Sequence, residues 1–494
     1  MLFLTELLAN YHGSIAIEGD AEKIPVSSVT ADSRKVKKDA IFVALKGSSD
    51  DGTIYALDAV KNGAVAIVTD NDSKIVLPKS IPIIRVDNAR LALAKLADAF
   101  YPNKPDNICA VTGTDGKTST VDFLRQLWEM DNKKAASIGT IGIIGKENKL
   151  IFPSDNTTPD PVILHEKLQI LAQEGYNYVA MEASSHGLHQ YRLDGVRIKA
   201  AAFTNLSRDH LDYHKTQEAY FHAKARLFTE VLANYGTAVI NADDAKFKRL
   251  KKMCDERGLN VISYGFKGEQ FKIKKVTPRL DGLAVQAEIM GASQHFSLNM
   301  IGEFQVFNAL AALGLYIGCG GDVLQGLRNL PHLHSVAGRV EKVAIRKNGA
   351  AIFVDYAHTP AALGNVLKTM RPHVKGRLVL VFGCGGDRDR GKRVEMGKIA
   401  NEFADEIIVT DDNPRSENPA SIRAEIIAGV AKAKNIGDRK DAIEFAIKSL
   451  ASEDVLLIAG KGHENTQIIG DKSIVFNDAD VARNAIKIFD KAAS

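Results

Sequence analysis

The stretch Gly113-Thr114-Asp115-Gly116-Lys117-Thr118-Ser119 combines the residue types that hold a nucleoside triphosphate. Glycines in such a turn let backbone N–H groups point at phosphate oxygens, Lys117 supplies a compact positive charge, and the Thr118 or Ser119 hydroxyl can hold Mg²⁺. An apolar run, Ile108 to Val111, precedes the turn, and a helix-like run, Thr120 to Met130, follows it. The full phosphate-loop pattern would put a glycine five residues before Gly116, where this chain has Val111. An ordinary strand-to-helix turn of small residues is the competing reading.

Other residues stand where their chemistry would be expensive without a partner. Glu182 ends an apolar run in Met181-Glu182-Ala183-Ser184-Ser185-His186-Gly187. A carboxylate there asks for a cation, and the Mg²⁺ of bound ATP is the natural one. Asp209-His210-Leu211-Asp212-Tyr213-His214 follows another apolar run, with His210 and His214 spaced as on one helical face. Read alone, that spacing could hold zinc, but no third spaced ligand accompanies it, which favours a surface or supporting role. Lys224, in Phe221-His222-Ala223-Lys224-Ala225-Arg226, reads from composition as a solvated helix lysine. The run Asp387-Arg388-Asp389-Arg390-Gly391-Lys392-Arg393 has two readings, a solvated charge run or, given its place after a strand and two glycines, an anion-binding loop.

The elements that must position these residues are legible as alternating patterns. Ala40 to Leu45 and Ala64 to Thr69 read as strands and Ala89 to Phe100 as a helix. Tyr101-Pro102-Asn103-Lys104-Pro105-Asp106 then reads as a linker, since two prolines without apolar periodicity break both helix and strand. Apolar strand-like runs recur at Ile108 to Val111, Tyr178 to Ala183, Ala200 to Leu206 and Thr237 to Asn241, the pattern of a largely parallel sheet covered on both faces. Phe271 to Asn299 alternates like antiparallel strands, and Phe307 to Ile317 reads as a buried helix. Further strands are expected at Ala351 to Val354, Leu378 to Phe382, Glu406 to Thr410 and Val455 to Ala459. Each of these four precedes a polar loop: Asp355 to His358, Gly383 to Arg388, Asp411 to Arg415 and Gly460 to Glu464. Loops at the carboxyl ends of strands in an open α/β sheet converge on one site. The expected fold class is α/β with three domains: 1–104, 105–335 carrying a mostly parallel sheet, and 336–494.

Composition narrows the classes. With 494 residues the chain has room for three domains, and a net charge of +4 implies no broad nucleic-acid face. The four cysteines, Cys109, Cys254, Cys319 and Cys384, form no C-x-x-C pair, which argues against a zinc framework or a secreted disulfide scaffold. Nowhere do eighteen apolar residues run together. A cytoplasmic protein with no membrane or nucleic-acid partner is expected.

Taken together, the motifs resemble the Mur ligases, ATP-dependent amide-forming enzymes that build the peptide stem of peptidoglycan. The resemblance spans the chain and rests on Thr112 to Thr118, Asn156-Thr157-Thr158-Pro159, Glu182 to Gly187, Thr204 to Asp212, Gly338-Arg339-Val340-Glu341 and Asp355-Tyr356-Ala357-His358-Thr359-Pro360. Within the family the chain is most similar to the ligases that add a diamino acid as the third stem residue. The resemblance implies a UDP-sugar domain, a central phosphate-loop ATPase-like domain and a C-terminal Rossmann-like domain for the incoming amino acid. It implies ATP and Mg²⁺ as cofactors, UDP-N-acetylmuramoyl-L-alanyl-D-glutamate and meso-2,6-diaminopimelate as small-molecule substrates, and a monomer. ATP would phosphorylate the D-glutamate carboxylate, and the amine would then attack the acyl phosphate.

The resemblance also implies roles. Gly113, Thr114, Asp115, Gly116, Lys117, Thr118 and Ser119 would cradle the phosphates, with Asn308, Arg339, Asp355 and His358 on the rest of the nucleotide. Lys117, Glu182, His210 and Lys224 would be catalytic, and Thr118, Glu182, His210 and Lys224 would hold the metal. Lys224 matches the family lysine that carbon dioxide converts to N6-carboxylysine, against the solvated reading that composition gives it. The UDP sugar would fall to Ala31, Ser33, Ser48, Ser49 and Asp50, and its muramoyl peptide to Asn156, Thr157, Thr158, Ser184, Gln190 and Arg192. Arg388, Asp412, Asn413, Pro414, Arg415, Gly460 and Glu464 align with the amino-acid pocket. Asp-Asn-Pro-Arg is the form associated with meso-diaminopimelate, whose distal carboxylate a guanidinium at Arg415 can grip bidentately.

Three positions depart from the family pattern. Asp115 stands for the usual Asn and adds a negative charge beside the phosphates. Gln305 replaces the first Asn of the usual Gly-x-Phe-Asn-x-x-Asn run, and Ser48-Ser49-Asp50 replaces a His-containing loop. Two other readings remain. A folylpolyglutamate-type ligase is opposed by the Asp-Asn-Pro-Arg loop and by Thr30-Ala31-Asp32-Ser33-Arg34. A protein that ATP merely switches would lack turnover.

Overall fold

The computed structural model describes residues 2–492 except 48–50, 155, 280 and 337, so Ser48, Ser49 and Asp50 lie outside the described residues. The chain divides into two compact units, Met1–Phe271 with Leu310–Leu327, and Lys272–Ala309 with Arg328–Ser494.

Two larger sheets have strands in the first unit, beside a two-stranded pairing of Leu2–Phe3 with Pro25–Val26. The N-terminal one orders Ile15–Glu18, Ile83–Val86, Ala64–Asp70, Ala40–Ala44 and Ser28–Thr30, parallel except for the first pair. The helix Ala89–Phe100, as expected from sequence, covers it, and its free N–H groups are capped by Asn88, whose side chain accepts from Leu91 N at 3.0 Å. The second sheet has six parallel strands, in the order Ala135–Gly139, Tyr178–Glu182, Asn107–Thr112, Ile198–Phe203, Leu232–Asn241, Asn260–Gly265. Gly142–Ile144 and Leu150–Phe152 extend its Ala135–Gly139 edge in antiparallel fashion. Asn107–Thr112 lies between two parallel neighbours, and all but its first residue are buried. A strand buried on both faces needs a continuous apolar run, which is why it reads so clearly in the sequence.

Ala135–Gly139 and Asn260–Gly265 are strands that the sequence reading did not mark. Both are short, and Gly and Ser dilute their apolar character. The expected Thr237 to Asn241 strand begins earlier, at Leu232.

Phe271–Arg279, which begins at the last residue of the first unit's longer segment, is followed by Gly282–Ile289 and Ala292–Leu298 as successive neighbouring strands, the last two an antiparallel hairpin, as the alternation predicts. The C-terminal sheet orders Glu341–Ile345, Ala351–Asp355, Val455–Ala459, Leu378–Phe382, Glu406–Val409 and Lys434–Asn435. Only the first pair is antiparallel. Leu363, Leu367, Met396 and Ile426 pack on one face of this sheet, and Ile443, Ile447, Ala482 and Ile486 on the other. The four polar loops singled out in the sequence leave the carboxyl ends of its parallel strands. The helix expected at Phe307 to Ile317 spans Phe304–Gly318. Among the described residues no helix is long and apolar enough to cross a membrane.

Candidate functional site

The Gly113–Ser119 loop leaves the central strand Asn107–Thr112 and enters the helix Lys117–Met130. At Gly113, φ is +152° and a Cβ would overlap the Thr204 hydroxyl, so only glycine fits. The loop is held from behind. Thr114 N donates to Asn205 O at 2.9 Å, Asp115 N to Asn205 Oδ1 at 2.9 Å, and Thr204 Oγ1 to Asp115 O at 2.6 Å. Lys117 folds over the loop, its Nζ donating to Gly113 O at 3.0 Å and Thr114 O at 2.7 Å. Ser119 lies in the first turn of the helix.

Glu182 ends the neighbouring strand and is 1% exposed. Its Oε1 accepts from Thr118 Oγ1 at 2.9 Å and from Thr140 N at 2.9 Å. Burial raises its pKa, against the opposing pull of those donors and of Lys117. A buried carboxylate beside a threonine hydroxyl is an oxygen-donor set suited to a hard divalent cation.

Lys224 is 1% exposed, which corrects the solvated reading that composition suggested. The helix Gln217–Arg226 buries its Tyr220, Phe221, Lys224 and Ala225, turning the lysine inward. Its Nζ donates to Gly113 O at 2.7 Å and lies 4.6 Å from the centre of the Tyr220 ring. Burial, helped by the nearby Lys117 ammonium, pushes its pKa well below that of an ordinary lysine. Tyr220 OH is 3.2 Å from Thr114 Oγ1, and the exposed His210 ring lies 6.0 Å from the Tyr220 ring and 4.9 Å from that of His186. The structure therefore brings Lys117, Thr118, Glu182, His210 and Lys224 around one loop. His210 has left-handed backbone angles and precedes a one-turn helix, while His214 is buried. Among the described residues no group of three His, Cys, Asp or Glu side chains could share a metal ion.

A second chain of contacts runs from Glu182 to the residues expected to hold the muramoyl peptide. Thr140 Oγ1 lies 3.0 Å from Thr157 Oγ1, Thr158 Oγ1 donates to Glu182 O at 2.8 Å, and Ser184 N donates to Thr158 Oγ1 at 3.0 Å. Arg192 reaches Thr158 O at 2.7 Å and Gln190 Oε1 at 2.7 Å. Asn156 is exposed beside Thr157. Ala31 and Ser33 line a cleft of about 870 Å³ with Tyr55, Asp58 and Asn62. Thr140 and Tyr220 are not singled out by the sequence, and Asn205 enters only as a member of the Thr204 to Asp212 motif. Thr140 follows Gly139, where the fold leaves no room for a side chain beside Glu182.

In the second unit Asn308 is buried and donates to Gln305 Oε1 at 3.1 Å, so the departing Gln305 still partners it. Asp355 ends its strand, accepting from Val340 N and Ala357 N, each at 2.7 Å, and burial raises its pKa. Arg339 stacks 5.3 Å from the Tyr356 ring, and His358 is exposed next to it.

The loops expected to form the amino-acid pocket also meet. Arg415 donates from Nη1 to Gly386 O at 2.8 Å, and Asn413 donates from Nδ2 to Glu464 Oε2 at 3.0 Å. Asp412 is buried, with its pKa raised by that burial, and a Cβ on Gly460 would press against its carboxylate. Pro414 carries the turn between Asn413 and Arg415, its carbonyl packed against Gly386. Arg388 is exposed. The charge run around it is only partly solvated: Arg393 is fully buried and pairs with Glu417 at 2.8 Å and Glu425 at 2.9 Å. That arginine braces the loop and is not open to an anion.

Three family models match the chain: Mur ligase family, catalytic domain, at residues 25–101; Mur ligase middle domain at 111–316; and Mur ligase, glutamate ligase domain, at 338–462. A relative from Bradyrhizobium diazoefficiens is 47% identical over 98% of this chain and 99% of its own length. One from Mesorhizobium japonicum is 45% identical over 97% of this chain and 99% of its own. Both are named UDP-N-acetylmuramoyl-L-alanyl-D-glutamate--2,6-diaminopimelate ligase. A solved structure of a ligase of that name covers 99% of both chains at 34% identity, with a TM-score of 0.79. The chain belongs to the Mur ligase family and has its three-domain α/β fold.

Proposed function

We propose that this chain is an ATP-dependent ligase that joins meso-2,6-diaminopimelate to UDP-N-acetylmuramoyl-L-alanyl-D-glutamate in cytoplasmic peptidoglycan precursor synthesis, working as a monomer. The observation that carries the reading is the bond between Thr118 Oγ1 and Glu182 Oε1. It ties the phosphate loop to a carboxylate that is itself continuous, through Thr140 and Thr158, with the aligned peptide-binding residues. Phosphate donor and carboxylate acceptor would thus be held by one network. The near-full-length relatives carry the corresponding name.

In this reading residues 1–104 bind the UDP sugar, 105–335 bind ATP and 336–494 bind the amino acid. Gly113 to Ser119 hold the triphosphate, and Asn308, Arg339, Asp355 and His358 hold the rest of the nucleotide. Thr118, Glu182, His210 and Lys224 would hold Mg²⁺, which supplies charge neutralisation to the transferring phosphoryl group. Lys224 has the environment for carbamate formation. Its buried amine is readily neutral, and attack on carbon dioxide forms an N–C bond, releases a proton and leaves an anionic oxygen donor.

The chemistry follows from leaving groups. A free carboxylate is a poor electrophile. Transfer of the γ-phosphoryl group to the D-glutamate carboxylate gives an acyl phosphate and ADP, and attack by the diaminopimelate amine then forms the amide and releases phosphate. Arg192, Thr157 and Thr158 orient the peptide, while Arg415, Asn413 and Glu464 orient the diamino acid. Mass spectrometry of the nucleotide product tests the reading. A UDP-linked tripeptide carrying one diaminopimelate is expected, and unchanged UDP-dipeptide with active-site-competent protein and ATP would overturn it.

A further inference from the structure

We propose that Lys461 is a positioning residue that sets the geometry of the diaminopimelate pocket. This inference rests on the function proposed above. Lys461 is completely buried, and its ammonium donates to three acceptors: Asn413 Oδ1 at 3.0 Å, Glu464 Oε2 at 2.9 Å and Thr466 O at 2.7 Å. An ammonium has three donors, so the burial is fully compensated. The acceptors come from three segments: the Asp412–Arg415 loop, the loop after Val455–Ala459, and the strand Thr466–Ile469.

The same triangle closes on itself. Asn413 Nδ2 donates to the Glu464 oxygen that Lys461 holds, and Ile468 N donates to the Asn413 oxygen that Lys461 holds, each at 3.0 Å. Lys461 thereby fixes which end of the Asn413 amide faces the hairpin that Thr466–Ile469 forms with Lys472–Val475. It also keeps the Glu464 carboxylate charged against the cost of burial, since the bonds from Lys461 and Asn413 hold its pKa below the usual value. The hairpin in turn carries Arg415: Arg415 N donates to Ile468 O at 3.1 Å and Gly470 N to Arg415 O at 2.8 Å. Arg415 has a left-handed φ of 51°, a conformation that those two bonds hold in place. Lys461 touches no reacting atom in this account. It sets Asn413, Glu464 and the backbone of Arg415, the groups that would grip the diamino acid.

The test is a comparison of Michaelis constants. With Lys461→Met, the KM for meso-diaminopimelate is expected to rise about 10- to 100-fold, the range for losing a charged buried hydrogen bond. The KM values for ATP and for the UDP-dipeptide should stay within about twofold, a difference too small to reflect a lost contact. Lys461→Arg keeps the cation but not its three-acceptor geometry. It should show the same selective rise, and it supplies the comparison if K461M does not fold. Equal changes in all three constants, or no change in any, would overturn the proposal. No diaminopimelate-dependent turnover by the unaltered protein would instead defeat the functional reading on which it rests.

Discussion

The ammonium of Lys224 lies 2.7 Å from the carbonyl oxygen of Gly113, inside the protein and against the face of Tyr220. Burial, with the Lys117 charge nearby, lowers the pKa of a lysine so placed and makes available the neutral amine that carbamate formation needs. Lys224→Ala should abolish turnover, and formate or acetate should restore part of it by supplying the missing carboxylate. Full activity in the variant without any added acid would refute the carbamate assignment.

Glu182→Gln should be a loss of charge with little loss of structure, because a Gln oxygen can still accept from Thr118 and Thr140. If the carboxylate helps hold the metal, kcat should fall about 100-fold or more and the Mg²⁺ concentration for half-maximal rate should rise. A Mg²⁺ titration of phosphate release checks this. An unchanged Mg²⁺ requirement would remove Glu182 from the metal site.

Arg415→Ala should lower kcat/KM for meso-diaminopimelate by about 100-fold, the loss of a charge-assisted hydrogen bond pair. Residual activity with L-lysine, which lacks the distal carboxylate, should change far less. Equal losses would mean that Arg415 shapes its loop, through Gly386 and Ile468, without reading the substrate.

His165 gives a pH prediction away from the chemistry. It is completely buried, and burial, reinforced by the Lys104 charge, depresses its pKa from 6.5 to about 4. Protons therefore bind the unfolded chain first. Stability is fully present above the unfolded pKa and is lost as the pH falls toward the folded value. Between pH 7 and 5 the loss from this residue should be about 2 kcal/mol. Denaturant unfolding of the protein and of His165→Gln at both pH values should show a smaller pH effect in the variant. Parallel pH dependence would contradict the assignment.

Much of this was legible in the sequence because strands buried on both faces must be apolar throughout: Asn107–Thr112, Leu378–Phe382 and Val455–Ala459 announce themselves, and so do the polar loops that follow them. Ala135–Gly139 did not, because Ala, Ser and Gly dilute its apolar run, and Gly139 must leave room for the Glu182 side chain. Lys224 was the reverse case, since single-residue hydropathy cannot see that Tyr220 and the Gly113 carbonyl wait on the buried side of its helix. Arg393 likewise sits in a run that looks solvated, and only the fold brings Glu417 and Glu425 to it.

The most direct measurement is phosphate release from ATP with Mg²⁺ and UDP-N-acetylmuramoyl-L-alanyl-D-glutamate, with meso-diaminopimelate, with L-lysine or with no amino acid. Release that depends on diaminopimelate and is slow or absent in the other two mixtures is the predicted result. Release with lysine in preference to diaminopimelate, or release indifferent to any amine, would contradict the account.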